Sequence, residues 1–516
     1  MNAGIVPDHE VLIIGAGFSG IGVAIALDRA GLHDHLIVEE GAGFGGTWYW
    51  NRYPGVAVDI PSFSYQFSFE RRSDWSRIYA PGEELRRYAE HCAARYGLRE
   101  RTRFGTKVTG AAFDERRHLW HLTTDAGDTL VARHVVDATG ALTKPKRPDI
   151  AGVDDFAGVT MHTARWDSNE NLAGRRVAVI GTGASAVQLI PSLAPCVEHL
   201  TVFQRTPIWC LPKLDAPLPV PVRAALSRVP GAQRLARLAS QSFVELTFPL
   251  AAHYHDAVPL ASAFERLARW YVRRQVHDPD VARKLTPAYA MGCKRPSFHN
   301  SYLATFNRPN VTLETTPIER VAPEGVICVD GTEHAADVLV LATGFKVFDR
   351  GNFPKFPVTG RDGRDLEAWW DAHRYQAYEG VTVPGFPNLF LVFGPYGYNG
   401  ASYFTLIETQ ARHIVRCLLH ARERGATAVE VTDAANARYF AEMLRRRRRQ
   451  VFWQPSCSMA NSYYFDRHGD APLRPTPTLE GRWRAGRFSW DDYRWHTPPA
   501  GVPEGQAVAG GSSSSA

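Results

Sequence analysis

The sequence predicts an α/β protein built from two parallel-sheet units, one inserted within the other. Three observations carry this. The apolar run 11–14 meets Gly15-Ala16-Gly17-Phe18-Ser19-Gly20 and then a helical pattern; the run 177–180 meets Gly181-Thr182-Gly183-Ala184-Ser185-Ala186 in the same way. Two later apolar runs each end in Ala-Thr-Gly, at 138–140 and 342–344. A strand that passes through a glycine-rich turn into a helix begins a Rossmann-like dinucleotide-binding unit.

In each turn the small residues (Gly15, Gly17 and Gly20; Gly181, Thr182, Gly183 and Ser185) have three tasks. They permit a tight bend, bring backbone close to a pyrophosphate, and aim a helix N-terminus at its charge. Counting 24 residues on from Gly15 reaches Glu39, and 24 on from Gly181 reaches Arg205. A carboxylate there accepts hydrogen bonds from ribose hydroxyls, as FAD requires, whereas a guanidinium suits the 2′-phosphate of NADPH. The contrast predicts one chain holding a flavin and its electron donor.

The elements follow in order. A helix is expected over 83–96, then β runs at 107–113, 119–123 and 129–131 with a turn at 125–128, closing on 134–140. A like succession recurs at 311–314, 319–322, 326–329 and 337–344. The Pro-rich stretch 143–148 reads as the outgoing linker, and the residues after Gly344, including 353–357, as the return linker. Residues 221–240 and 261–276 show helical spacing and many arginines. A buried strand and turn at 388–395 and a long helix from about Tyr403 complete the first unit. The resulting division is 1–145 with 345–500 for FAD, 150–208 with 292–344 for NADPH, 209–291 as a helical insertion, and 501–516 as a flexible tail.

At 516 residues the chain has room for about three domains of roughly 150 residues. Its net charge of +6 is too mild to argue for a nucleic-acid partner. The run Arg445–Arg449 reads as a solvated helix end. The seven cysteines are scattered, odd in number and without a C-x-x-C pair, which predicts reduced thiols in the cytoplasm. No metal-ligand spacing appears, so no metal is expected. Residues 1–10 lack a signal-peptide pattern, and no apolar run approaches the length of a membrane span.

Flavin plus NADPH leaves a disulfide reductase, an N-hydroxylase, a flavin-containing monooxygenase or a Baeyer–Villiger monooxygenase. A disulfide reductase needs a cysteine pair soon after the first turn, and residues 40–91 hold no cysteine. Just before the second turn, Phe156, Gly158, His162, Trp166 and Asp167 match F-x-G-x-x-x-H-x-x-x-W-[P/D] at every specified position. Residues 45–59, with Gly45, Gly46, Trp48, Tyr53, Pro54, Gly55 and Asp59, match G-G-x-W-x-x-x-x-Y-P-G-x-x-x-D. On these motifs the chain resembles the type I Baeyer–Villiger monooxygenases over roughly residues 8 to 470.

The resemblance implies oxidation of ketones to esters or lactones with NADPH and O2 through a C4a-peroxyflavin, with sulfides as further substrates. It places Gly46, Thr47, Trp48, Asp59, Tyr65, Val108 and Gly140 along the flavin. The fingerprint at 156–167 takes a conformational role between domains. Negative charge develops on the attacking oxygen, and an arginine suits it because its charge persists. In the family this arginine follows a lysine, which points to Arg295 in Gly292-Cys293-Lys294-Arg295, with Asp59 as its orienting carboxylate. Lys294 then joins Arg205 and Thr206 around the 2′-phosphate. Gln188 is expected either at the nicotinamide half or exposed on its helix. Tyr463, in Asn461-Ser462-Tyr463-Tyr464-Phe465, stands where many family members carry a tryptophan that contacts NADP. Tyr398, Tyr403 and Phe404 are expected to line the substrate pocket. The alternatives are a flavin-containing monooxygenase acting on nitrogen or sulfur, and an NADPH oxidase or flavin redox sensor.

Overall fold

A computed structural model describes residues 6–253 and 260–497; the expected tail at 501–516 lies outside them. The strand His9–Ile14 lies inside an eight-stranded sheet, parallel to His35–Val38 on one side and to Thr129–Asp137 on the other. Helices and loops cover both of its faces. Val11, Leu12, Ile13 and Ile14 are therefore all buried, the continuous apolar pattern of a central parallel strand.

The expected runs 129–131 and 134–140 prove to be parts of one nine-residue strand, Thr129–Asp137. Its first half pairs antiparallel with Leu119–Thr124, and its second half pairs parallel with Leu389–Leu391. The polar pair Arg133-His134 that interrupts the apolar pattern is tolerated inside the strand because both side chains meet Glu10.

The second sheet is wholly parallel, in the order Val311–Glu314, His199–Phe203, Arg176–Ile180, Val338–Leu341, Val159–His162. A three-stranded meander over Ile318–Ala322, Gly325–Cys328 and Glu333–Ala335 accompanies it. The two units repeat one backbone solution. Gly15 has φ +109° and a Cβ there would lie 2.7 Å from the Ala138 carbonyl oxygen; Gly181 has φ +116° and its Cβ would lie 2.5 Å from that of Ala342. Each opening glycine thus packs on the Ala-Thr-Gly strand end of its own unit, which explains why the two motifs recur together.

The chain crosses between units on two antiparallel passes, with Lys146 N–H donating to Gly344 O at 2.9 Å and Lys346 N–H to Lys144 O at 3.2 Å. Residues 353–357 are not linker, as the sequence suggested. Phe353 and Phe356 are core residues, and Val358–Thr359 adds an edge strand against Ala111 and Ala112.

The expected helical stretches become Val220–Arg228, Ala232–Leu246, Phe248–His253, Leu260–Gln275 and Pro279–Lys284. A short parallel pairing of Cys210–Leu211 with Ser297–Phe298 closes the neck of this excursion. Its helices lean on the first unit: Ser240 Oγ lies 2.8 Å from Ser64 Oγ, and Arg237 Nη1 donates to Gln66 O at 2.6 Å. The cysteines depart from expectation. Cys293 and Cys457 form a disulfide, because the fold brings positions 164 residues apart within a Cα–Cα distance of 5.1 Å.

The strand-end packing has a measurable consequence. Gly15→Ala meets backbone at a positive φ, whereas Gly31 (φ +72°) faces open space. Strain of this kind costs about 1–3 kcal/mol. Gly15→Ala is expected to lower the apparent melting temperature more than Gly31→Ala; equal shifts in a thermal scan would contradict the packing.

Candidate functional site

At the first turn, Gly17 and Gly46 bring two backbones together: Gly46 has φ +53° and a Cβ there would sit 2.8 Å from Gly17 Cα. The helix Phe18–Arg29 begins at Gly17 with no side-chain cap and no acidic residue in its first turn, so its leading amides face a position suited to an anion. Glu39 is buried; its Oε2 accepts from Ala16 N–H and its Oε1 from Gly41 N–H, each at 2.7 Å. One lone-pair direction per oxygen remains for ribose hydroxyls. Burial raises the carboxyl pKa of Glu39, with those two backbone bonds opposing it. Lys355, which the sequence did not single out, reaches this strand end and donates to Thr139 O at 2.9 Å.

The second turn has the opposite electrostatics. The helix Ala184–Leu193 begins at Gly183, again without a side-chain cap or an acid in its first turn. Thr182 Oγ1 donates to Thr206 O at 2.9 Å, tying the turn to the loop that carries the exposed Arg205. Lys294 faces the same place. Burial and the nearby Arg205 push its ammonium down to about 8. Two neighbouring cations suit a doubly charged phosphate.

The 45–59 motif is the bridge between the units. From Gly46 it runs to Tyr53, whose hydroxyl donates to Gln188 Oε1 at 3.0 Å; Gln188 Nε2 donates back to Ala57 O at 2.8 Å. Gly55, at φ +81°, must be glycine, since a Cβ would lie 2.5 Å from Gln188 O. Gln188 is therefore half-buried and turned toward the first unit, its Oε1 accepting from Tyr53 and from Ala57 N–H while Nε2 donates to Ala57 O. The motif ends at Asp59, whose Oδ2 accepts from Arg295 Nε at 2.6 Å. The two side chains are 36% and 18% exposed, so the pair is open to a bound molecule. Burial would raise the Asp59 carboxyl, but Arg295 and then Lys213 outweigh it and hold it below its usual range. Lys213 itself donates to Val58 O at 3.2 Å. Arg295 Nη1 also donates to the Tyr398 hydroxyl at 3.4 Å.

The remaining expected residues divide. Trp48 Nε1 donates to Tyr65 Oη at 3.2 Å, and Tyr65 stands edge-on to Phe404 at 5.0 Å. Phe404 is fully buried, 4.6 Å from Phe18 and 4.7 Å from Phe67, so it is a core residue and not a pocket wall. Its helix turns it inward while Tyr403 stacks on Phe393 and approaches Ser19 Oγ at 3.4 Å. The side chain of Val108 is likewise buried in the first unit's β core, which leaves only its backbone for a cofactor. Tyr463 is 41% exposed, its ring 4.6 Å from that of Tyr464. The Cys293–Cys457 bond fastens this C-terminal stretch to the Lys294-Arg295 loop.

The 156–167 stretch lies on the second unit. Phe156 is core, and Gly158 is required because a Cβ would lie 2.4 Å from Asp337 O. His162 ends the strand Val159–His162. Its Nδ1 accepts from Ala164 N–H at 3.0 Å, and its Nε2 lies 3.3 Å from Thr343 Oγ1. Burial brings its pKa down to about 4, so the ring is neutral near pH 7. Trp166 packs on the core of the second unit, and Asp167 accepts from Asn169 N–H. The residue between them and His162 makes the crossing: Arg165 lies 4.2 Å over the Trp50 ring and donates to Thr143 O in the outgoing linker. Sequence spacing gave no sign of that contact. Among the described residues, Glu314, Cys328 and His334 bring three possible metal-ligating atoms within 4.8 Å of one another.

The chain is similar over most of its length to proteins already known. Residues 12–215 match the family described as pyridine nucleotide-disulphide oxidoreductase. A Baeyer-Villiger monooxygenase of Pseudomonas aeruginosa is 37% identical, covering 94% of this chain and 91% of its own length. One from Streptomyces coelicolor is also 37% identical, with 96% and 95% covered. Among solved structures, a closed form of cyclohexanone monooxygenase superposes with TM-score 0.85 at 31% identity, covering 96% of this chain and all of that one. The enzyme OTEMO in complex with FAD and NADP gives 0.84 at 28% identity, covering 95% and 100%.

The expectation that Lys294 and Arg205 read a 2′-phosphate carries a test. The Lys294 ammonium is charged below about pH 8 and neutral above it. The kcat/KM for NADPH should fall as the pH rises through that value while that for NADH stays flat. Arg205→Ala should raise the KM for NADPH far more than for NADH. Parallel behaviour of the two nucleotides would remove both residues from the phosphate site.

Proposed function

The chain belongs to the Baeyer–Villiger monooxygenases, and from that membership we propose how its residues divide the work. It is an FAD-dependent oxidoreductase that consumes NADPH and O2 and converts ketones to esters or lactones. When bound, the nicotinamide supplies two electrons and the flavin activates oxygen. The first unit (1–145 and 345–500) holds FAD through Gly15, Gly17, Gly20, Glu39, Gly46 and Gly140. The second (150–208 and 292–344) holds NADPH through Gly181, Gly183, Ser185, Arg205, Thr206 and Lys294, with 209–291 as its helical insertion. The buried acid of one turn and the paired cations of the other support that division.

Arg295 is the catalytic cation. Its charge does not depend on pH, and Asp59 fixes its Nε edge while Tyr398 meets Nη1. The guanidinium so held lowers the cost of negative charge on oxygen as it adds to a carbonyl carbon. The Asp59–Arg295 pair is the single observation that carries this reading. Asp59 closes the loop of one unit, and Arg295 leaves the loop of the other.

Two finer points belong to the proposal. An oxygen donor that adds to carbonyls as an anion becomes electrophilic when protonated, so sulfoxidation is a second activity. No helix among the described residues is long and apolar enough to cross a membrane. The cytoplasm, where NADPH is supplied, is the proposed location.

Arg295→Ala should retain FAD and still oxidise NADPH, yet lose ketone oxygenation by about 10²-fold or more, typical of deleting a transition-state charge partner. Product analysis by mass spectrometry checks it; ester formation at the wild-type rate would refute the role.

A further inference from the structure

The helical insertion carries an apolar face that the described residues leave uncovered. Val220, Val222, Val229, Leu235, Leu238, Phe243 and Leu246 are all exposed, from 38% to 68%. They are seven of the eighteen large hydrophobic residues exposed among the described residues, and they fall within 27 consecutive positions. Scattered exposed hydrophobics need no explanation, but such a concentration marks an interaction surface.

The helix Ala232–Leu246 shows which way it faces. Arg237, Ser240, Gln241 and Val244 turn inward, with Arg237 bonded to Gln66 O, Ser240 to Ser64 and Gln241 to Thr405. Leu235 and Leu238, at 68% and 64% exposure, turn out. The charge is equally one-sided. Residues 220–246 contain Arg223, Arg228, Arg234 and Arg237 against a single acid, Glu245. Arg228 and Arg234 are exposed.

We propose that this face docks the enzyme peripherally on an anionic lipid surface. Apolar side chains beside the exposed Arg228 and Arg234 match the acyl boundary and the phosphate headgroups of such a surface. A second copy of the chain matches less well, because a two-fold contact sets each patch against itself and would bring the arginines of both copies together. The helices are too short to span a bilayer, so the association is interfacial. The inner side of the same helix rests on the segment beside Tyr65 and near Tyr403. A docked enzyme therefore meets apolar ketones already dissolved in the bilayer. That last consequence rests on the oxygenase reading; lipid capture does not.

The test is vesicle co-sedimentation of the full-length FAD-loaded protein. Vesicles of phosphatidylcholine alone are compared with vesicles containing about one-third phosphatidylglycerol. Capture by the anionic vesicles should be about 10-fold greater and should fall when salt is raised to about 0.5 M. L235Q/L238Q and R228E/R234E should each reduce capture by about 10-fold, while FAD content and turnover of a water-dispersed ketone stay unchanged. Equal sedimentation with both vesicle types, or wild-type capture by either variant, would overturn the proposal. So would a concentration-dependent dimer that L235Q/L238Q abolishes without any vesicle binding, since the face would then belong to a second copy. None of these outcomes alters the expected loss of ketone oxygenation in Arg295→Ala, so the two readings fail separately.

Discussion

A carboxylate that ends a loop of one nucleotide-binding unit meets, at 2.6 Å, a guanidinium on a loop of the other, and the rest of the molecule serves that meeting. Asp59 and Arg295 are 236 residues apart in sequence, so nothing local holds them together. What holds them is the 45–59 segment. Its Gly46 lies against Gly17 of the first turn, and its Tyr53 and Gly55 lie against Gln188 on the helix of the second. An arginine left alone in such a place would pay for burial without a partner. Paired along one edge, it keeps its charge in a fixed orientation.

The same logic accounts for the contrast between the two turns. Glu39 is buried and bonded by backbone amides, which suits the proposed contact to ribose hydroxyls. Arg205 and Lys294 are neighbouring cations, which suits the proposed contact to a phosphate. The backbone beneath both is identical in kind, a positive-φ glycine packed on an Ala-Thr-Gly strand end. A repeated scaffold thus serves two nucleotides, and a few side chains decide which.

Much of this was legible in the sequence. The α/β class, both glycine turns, the recurrence of Ala-Thr-Gly and the long helix from Tyr403 follow from local periodicity and glycine spacing, which depend on few neighbours. What failed depended on packing. Phe404 and Tyr403 are adjacent, yet one enters the core and the other stacks on Phe393, because helix geometry sends neighbours in different directions. Residues 353–357 looked like linker from their prolines but fill the core with Phe353 and Phe356. The amide of Gln188, the stacking of Arg165 on Trp50 and the Cys293–Cys457 bond all join distant segments. No spacing rule reaches them.

The most direct measurement of the central claim is a double-mutant cycle on kcat/KM for ketone oxygenation with Asp59→Ala, Arg295→Ala and the double variant. If Asp59 acts by holding Arg295, the double variant is no worse than Arg295→Ala alone, because the carboxylate has nothing left to orient. Losses that multiply would show the two residues acting independently and would contradict the account.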